Sequence, residues 1–506
     1  MTRSLSRSLR FEPEVGAATD RVPPWVLLAL GGMLTILTGP RWGIAALAWI
    51  APVPYLLHAR RARGWRPWAA MFGVLLLAHC LQCVAFATPP VPAIAVIGFG
   101  PPLALFRLAA IGVGELVRRR VGEGAGILAF ITGTVLFDWI GYGVTELGAW
   151  MATANSQVES LTFLQLAALG GLALLGAIMA WTAGTLAMLL GAPRPRTRVR
   201  QALVLAGTLV TSLAWGTFRL DEPLPGRSVA VAAVVTQVGP DEHGMPDDRT
   251  LAANTDAMFE RTRLAAARGA RLVVWNEVAT LVAPSDEDAF LARARGMARD
   301  LRIDLVLAYA VLETRTPVLL DNKYVFISDT GAILDEYQKH HPVPGEPSIK
   351  GTGPLHVLER PYGTVGGAIC YDYDFPAMAR EHARAGAELV VVPSSDWRGI
   401  DPVHTFMARV RGIEGGFSIV RSARWSASGA FDAHGRVRAW MPAIDDNDGV
   451  MIARVPVGRT PTIAAVIGDA PVVLAACILL SLLGLAIVRR RHRELARPEP
   501  PHPAPG

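Results

Sequence analysis

The sequence predicts two fold classes in one chain: a multi-pass α-helical membrane domain and an α/β domain outside the membrane. Three observations predict them. First, 51% of the 506 residues are hydrophobic and 18% are charged, whereas an average soluble domain carries about 25% charged residues. Second, the charge deficit is local. Long apolar runs fill the N-terminal part and return near the C-terminus, on either side of a more polar stretch with strand and helix patterns. Third, arginine clusters occupy alternate connections between the apolar runs. The formal charge of +6 is explained by that placement better than by nucleic-acid binding.

Residues 1–24 are rich in Arg and Ser, end at Pro23-Pro24, and are expected to be a cytoplasmic segment. An apolar hairpin follows, Trp25–Thr38 and Trp42–Leu57, broken at Gly39-Pro40. Its first half is short for a span, which needs about 20 residues. A cleaved signal peptide is rejected, because more apolar runs follow and no small-x-small cleavage site stands out. The next runs are Trp68–Ala87, Ala93–Val117, Ile127–Gly143, Leu161–Leu190 and Ala202–Phe218, giving an expected seven-helix domain over 25–218. An eighth run, Ile463–Val488, predicts a C-terminal transmembrane helix over 462–488, with a cytoplasmic tail at 489–506.

The arginines orient these runs. Arg3, Arg7 and Arg10 precede the first. Arg60, Arg61, Arg63 and Arg66 follow the second, Arg118 to Arg120 the fourth, Arg194, Arg196, Arg198 and Arg200 the sixth, and Arg489, Arg490, Arg491 and Arg493 the eighth. The intervening connections hold Arg41 and little else that is basic. By the positive-inside rule both termini are cytoplasmic, and the region between the seventh and eighth runs is extracytoplasmic.

That region, 227–459, alternates strand and helix patterns. Strands are expected at Arg227–Gln237, Ala270–Asn276, Asp304–Leu312, Lys323–Ser328, Leu334–Gln338, Thr364–Ile369, Glu388–Pro393 and Phe417–Ser422. Helices are expected at Thr250–Arg268, Glu287–Leu301, Phe375–Ala385 and Pro402–Gly415. Hairpin-like pieces run on to Val457. The alternation implies an α/β or layered α-β-α fold.

Three polar residues end strands in this domain: Glu277, Lys339 and Cys370. A thiol on the turn after a strand is open to a substrate, with backbone N–H groups nearby. Strand ends on one side of a sheet converge on one cleft. There Glu277 would take the thiol proton, Lys339 would lower the thiol pKa and hold an oxyanion, and Cys370 would attack a carbonyl. Spacing alone also admits a buried structural cysteine and solvated strand-end charges. Of the four cysteines, Cys80, Cys83 and Cys477 lie in apolar runs, so no disulfide scaffold is implied and Cys370 stands alone in the polar region.

Trp275-Asn276-Glu277, the run Tyr337 to Glu346 around Lys339, and Ile369-Cys370-Tyr371-Asp372 resemble the nitrilase (carbon–nitrogen hydrolase) superfamily. That domain, set after seven apolar runs and before one more, is similar to the apolipoprotein N-acyltransferase family. The resemblance implies a nitrilase-like α-β-β-α sandwich on the outer face of a bacterial inner membrane. It implies a phospholipid acyl donor, a diacylated apolipoprotein acceptor, and no cofactor or metal. It assigns Glu277 as base, Lys339 as oxyanion residue, Cys370 as nucleophile and Glu346 as a second glutamate near them. Tyr371, Asp372 and Trp397 are expected around the site. A membrane-tethered amidase, a paralogous acyltransferase with another amine acceptor, and a non-catalytic lipid-binding protein are the alternatives.

Several positions depart from the family pattern. Asn276 stands where Pro is usual, Pro344 meets Gly345 without an aromatic between them, and Asp372 stands where Glu is usual. Ser394-Ser395-Asp396-Trp397 replaces an Asn-Asp pair, and Arg424-Trp425-Ser426 replaces an Asn-Asn-Gly-like turn. In the apolar part, Asp138, Trp139 and Glu146 fall near the outer end of the fifth run, where a headgroup contact and a snorkelling helix end are both admissible. Trp397, Phe375 and Phe406 are read as acyl guides or as core. His79, Cys80 and Cys83 are read as packing residues, His340-His341 lacks metal spacing, and Gly122 to Gly126 is a loop.

Overall fold

The structure is a computed structural model that describes residues 21–495 except 40, 42, 90, 192–194, 225, 240–243 and 444–448. The expected basic segment up to residue 20, Arg194 and the tail from residue 496 lie outside the described residues.

The N-terminal half is helical: α1 Pro24–Ile36, α2 Pro52–Arg61, α3 Arg66–Val84, α4 Ala93–Ile97, α5 Gly100–Arg120, α6 Glu123–Gly143, α7 Leu161–Leu164, α8 Ala167–Gly191 and α9 Pro195–Asp221. Among the described residues six helices are long and apolar enough to cross a membrane: α3, α5, α6, α8, α9 from Val199, and a C-terminal helix. The first two of the eight expected runs form shorter pieces. The second splits into a 3-10 turn at Ala45–Trp49 and α2. Pro52 and Pro54 lack the N–H that a continuous helix needs and instead occupy the first turn of α2. The Ala93–Val117 run also divides, with Pro101 and Pro102 opening α5. In α8 the backbone breaks at Gly170 and Gly171, the latter at φ 62°.

The α/β part adds β1 Arg227–Val234, α10 Asp248–Ala267, β2 Leu272–Trp275, β3 Leu281–Val282, α11 Glu287–Leu301, β4 Asp304–Arg315, β5 Val318–Ile327 and β6 Ile333–Gln338. It continues with β7 Val357–Arg360, β8 Gly363–Gly367, α12 Pro376–Ala385, β9 Leu389–Ser395, α13 Val403–Gly415, β10 Ser418–Arg424, β11 Ser428–Phe431, β12 Val437–Met441 and β13 Val450–Val457. After these come α14 Ile463–Ile467 and α15 Ala470–Leu495. The strands form two sheets, in the orders β13-β1-β2-β4-β5-β6 (with β3 on β4) and β12-β11-β10-β9-β8-β7. The sheets face each other, β1 on β10 and β2 on β9, with α10 and α11 outside the first and α12 and α13 outside the second. One apolar core runs through both, from Val231 and Trp275 to Val391 and Ile419. This is the α-β-β-α sandwich.

Sequence reading placed the main strands and helices but missed β3 and β7. Both are short edge pieces that carry no alternating pattern of their own.

The domain sits on the helices through a mixed apolar cluster that joins Phe86, Leu164 and Leu172 to Ile400, Val403 and Met407. Two close approaches lock it. Gly399 lies so near the Phe86 carbonyl that a Cβ there would strike it. Glu414 Oε1 accepts the Leu172 N–H at 2.9 Å, just past the break in α8. That bond satisfies a helix amide that the break leaves without an intrahelical partner.

Candidate active site

Glu277, Lys339, Cys370 and Asp396 each follow a strand. β2 is parallel to its neighbours β1 and β4, and β9 is parallel to β8 and β10. Their C-terminal ends therefore point the same way, and Glu277, Cys370, Asp396 and Arg424 emerge together. The backbone is bent hard there. Among the described residues four non-glycine residues have positive φ, and three adjoin this cleft: Val278 (46°), Cys370 (47°) and Trp425 (57°). A β-branched residue such as Val278 rarely adopts that conformation, so its neighbours must hold it.

Glu277, Lys339 and Glu346 come together in the structure. Lys339 Nζ donates to Glu277 Oε1 at 2.8 Å and to Glu346 Oε2 at 2.7 Å. Asn322 bridges the same carboxylates, donating to Glu277 Oε1 at 2.7 Å and Glu346 Oε1 at 3.1 Å. Glu277 Oε2 accepts the Ser395 N–H at 2.8 Å. Asn276, in place of the usual proline, accepts the Thr236 N–H at 2.9 Å through its side chain. Burial alone would lower the Lys339 ammonium, but Glu277 and Glu346 hold it well above its usual range.

Cys370 opens a 3-10 turn, Cys370–Asp374, and is buried. Among the described residues its sulfur has three hydrogen-bond neighbours: Ser395 O at 3.8 Å, Asp396 Oδ1 at 3.8 Å and Arg421 Nη2 at 3.9 Å. The thiol and the Glu277 carboxylate thus share Ser395, one through its carbonyl and the other through its amide. Lys339 does pull the Cys370 thiol down, but it does not decide the balance. Burial first, then Glu277 and Asp396, push the Cys370 thiol well above its usual range, and Lys339 and Arg421 do not overcome them.

Around the sulfur lies a second charged cluster. His404 faces Asp396 Oδ1 through Nδ1 at 2.8 Å and Asp374 Oδ1 through Nε2 at 3.0 Å. Arg421 donates to both Asp396 oxygens, at 2.7 and 2.9 Å. Burial opposes these charges, yet the pairing holds Asp396 far below the carboxylate range and raises His404 to about 9. The donor atoms of Cys370, Asp396 and His404 lie within 4.8 Å of one another. Both His404 nitrogens and both Asp396 oxygens are already engaged, and the Arg421 cation stands among them, so the protein's own charges fill this set.

The other expected residues divide. Trp397 lines the cavity before the thiol and donates to Phe86 O at 2.6 Å. Tyr371 lines it too, with its hydroxyl on Glu146 O at 2.8 Å. Asp372 instead braces the loops, accepting from Tyr337 Oη, the Ile369 N–H and the His341 N–H at 2.8, 3.0 and 2.7 Å. Burial raises its carboxyl to about 7. Asp138 pairs with Arg107 at 3.0 Å and accepts from Thr153, while Glu146 meets Lys350 at 3.3 Å. Phe375 stacks on His341 and Phe406 on Trp440, so both are packing residues. Sequence reading did not find Asn322, His404, Arg421 or Trp150. They come from separate elements with no shared spacing.

The cavity has a volume of about 290 Å³ and runs from Cys370 and Trp397 to Phe86 in the turn after α3, Val96 on the short α4, Phe99 in the turn before α5, and Leu103 on α5. Trp150 closes one wall, its ring tilted against that of His404 with centroids 5.3 Å apart, and donates to Asp374 at 2.7 Å. A chamber of about 140 Å³ behind it, among the helices, shares the walls Cys83, Phe86, Leu103 and Trp150.

The profile described as "Carbon-nitrogen hydrolase" matches residues 232–465, and that described as "Apolipoprotein N-acyltransferase N-terminal domain" matches residues 31–185. Together these matches support an apolipoprotein N-acyltransferase within the nitrilase superfamily. It is 27% identical to an apolipoprotein N-acyltransferase from Geobacter metallireducens, over 93% of this chain and 97% of that one. It is 27% identical to one from Gloeobacter violaceus, over 81% and 84%. It is also 32% identical to a deaminated glutathione amidase from Rattus norvegicus, over 20% of this chain and 35% of that one. Among solved structures, an amidase from Nesterenkonia sp. covers 46% of this chain and 92% of its own, at 23% identity and TM-score 0.38.

Proposed function

We propose that this chain is an N-acyltransferase that moves a fatty acyl group from a phospholipid to the N-terminal amine of a diacylglyceryl-cysteine lipoprotein, through a thioester on Cys370. The observation that carries this reading is the thiol at one end of an apolar cavity whose other end reaches Cys83 on α3 and Leu103 on α5, both helices long and apolar enough to cross a membrane. A lipid tail fits such a space; a water-soluble amide has no need of it.

In the first step the Cys370 sulfur attacks the ester carbonyl and its proton passes to Glu277. The carbonyl oxygen becomes an oxyanion that the Lys339 ammonium stabilises. The C–O bond then breaks, Glu277 returns the proton to the departing lysophospholipid oxygen, and the thioester remains. In the second step the acceptor amine attacks the thioester carbonyl and gives a proton to Glu277. The C–S bond breaks, the sulfur takes the proton back, and an amide is released. Glu346 and Asn322 hold Lys339 and Glu277 in place. Asp396 lies beside the thiol, yet its pairing with Arg421 and His404 makes it a poor proton acceptor, which favours Glu277 as base. The arginine clusters support an extracytoplasmic placement of this domain, and the likeness to apolipoprotein N-acyltransferases of bacteria supports an inner-membrane setting.

Incubation with labelled phospholipid and a synthetic diacylated lipopeptide tests the reading. N-acylated lipopeptide with equimolar lysophospholipid is expected. Free fatty acid as the sole product would assign a hydrolase instead.

A further inference from the structure

Arg424 stands where the family has a small polar turn, and nothing in the reaction above uses it. The side chain is buried. Its Nε and Nη2 donate to Ser395 Oγ at 3.0 and 2.6 Å. Its Nη1 donates to the carbonyls of Val238 at 2.7 Å and Val278 at 3.2 Å. These partners matter. Ser395 gives its N–H to Glu277 and turns its carbonyl to the Cys370 sulfur. Val278 is the next residue after Glu277 and is held at φ 46°. One guanidinium therefore grips the peptide after the base, and the residue that touches both base and nucleophile. Gly239 makes room for it, since a Cβ there would run into the guanidinium.

Charge points the same way. Around the thiol, Glu277 and Glu346 share Lys339, while Asp374 and Asp396 pair with His404 and Arg421. Those carboxylates exceed those cations by one, and Arg424 supplies the missing cation. Asp372 stands apart on Tyr337 and main-chain amides. Tyr371 lies beside the thiol as a neutral phenol.

Resting on the acyl-transfer reading, we propose that Arg424 is a positioning residue: its fork fixes Ser395 and the Glu277–Val278 turn, and its charge favours transfer of the Cys370 proton. A thiolate formed beside an unbalanced set of carboxylates is disfavoured, and a cation held by a rigid fork relieves that cost without touching the substrate.

The test uses the full chain in detergent micelles, with Arg424→Met, Arg424→Lys and Ser395→Ala. Iodoacetamide alkylation of Cys370 against pH, followed by intact mass, reads thiol ionisation without any lipid. Acyl-enzyme formation from phospholipid is measured beside it. In Arg424→Met the alkylation curve is expected to move on the order of one pH unit to the alkaline side, with slower acyl-enzyme formation. Arg424→Lys keeps the charge but not the fork, so its curve stays near wild type while acylation slows. Ser395→Ala, which removes only the hydroxyl acceptor, is expected to slow acylation on the order of tenfold, and it carries the test if Arg424→Met does not fold. An unmoved curve in Arg424→Met, the same shift in both arginine variants, or wild-type acylation in Ser395→Ala would overturn the proposal. If the curve shifts as expected but no phospholipid acylates any form, the Arg424 assignment stands and the acyl-transfer reading fails.

Discussion

The cleft is built from two charged clusters, one on each sheet, and they differ in what they leave available. The cluster at the ends of β2 and β6 has one ammonium for two carboxylates: Lys339 between Glu277 and Glu346. A proton or an oxyanion can be handed over there. The cluster around β9, β10 and α13 is saturated: Asp396 takes both arms of Arg421 and a nitrogen of His404, whose other nitrogen meets Asp374. It holds its shape and its charge. The thiol belongs by position to the saturated side and by chemistry to the open one, and Ser395 joins them. Buried ion pairs of the second kind add little net stability but are costly to break singly, so they suit a frame better than a proton relay.

Substitutions can break this contrast. The largest effect is expected at Cys370. Cys370→Ser should lower acyl transfer at least ~10⁴-fold, because the hydroxyl is far less readily ionised; product formation by labelled-lipid assay checks it. Next comes Glu277→Gln, expected to slow acyl-enzyme formation about 10²- to 10⁴-fold with the fold intact. Asp396→Asn sharpens the comparison. If Asp396 is frame, its loss lowers thermal stability and leaves whatever activity survives with the wild-type pH profile. A lost acidic limb of the pH profile in Asp396→Asn, and not in Glu277→Gln, would reverse the roles of the two clusters. Smaller again is Leu103→Trp, which narrows the cavity on α5. It is expected to slow acylation by long-chain phospholipids about tenfold more than by short-chain ones, read by single-turnover labelling across a chain-length series.

The smallest effect is a stability profile. His404 has its usual value of 6.5 raised to about 9 by Asp374 and Asp396, against burial. A raised folded-state value means the charged pair stabilises fully below pH 6.5 and loses that contribution as pH climbs through 9. His404→Gln should therefore melt a few degrees (roughly 5 °C) lower than wild type at pH 6.5 and approach it above pH 9. Equal gaps at both pH values would remove His404 from the frame.

Much of the open cluster was legible in the sequence because Glu277 and Lys339 each end a recognisable strand and Glu346 sits in the same local run as Lys339. Glu277 follows Leu272–Trp275, and Lys339 follows Ile333–Gln338. The saturated cluster was not. His404 rides a helix, Arg421 faces inward from the middle of β10, and Asp396 lies past β9, so no spacing ties them. Arg424 was visible only as a departure from the family. The net ionisation of the thiol was not legible, because it depends on burial, which a strand-end motif does not report. The membrane helices were legible from hydropathy, except where Pro52, Pro54 and the Gly170-Gly171 pair cut apolar runs that read as continuous.

Mass spectrometry of the intact protein after mixing with a phospholipid of single acyl composition tests the covalent route most directly. A gain of one fatty acyl group, mapped to Cys370 and discharged when a diacylated lipopeptide is added, is the expected result. An unmodified chain that still forms N-acylated product, or an acyl group carried on any other residue, would contradict it.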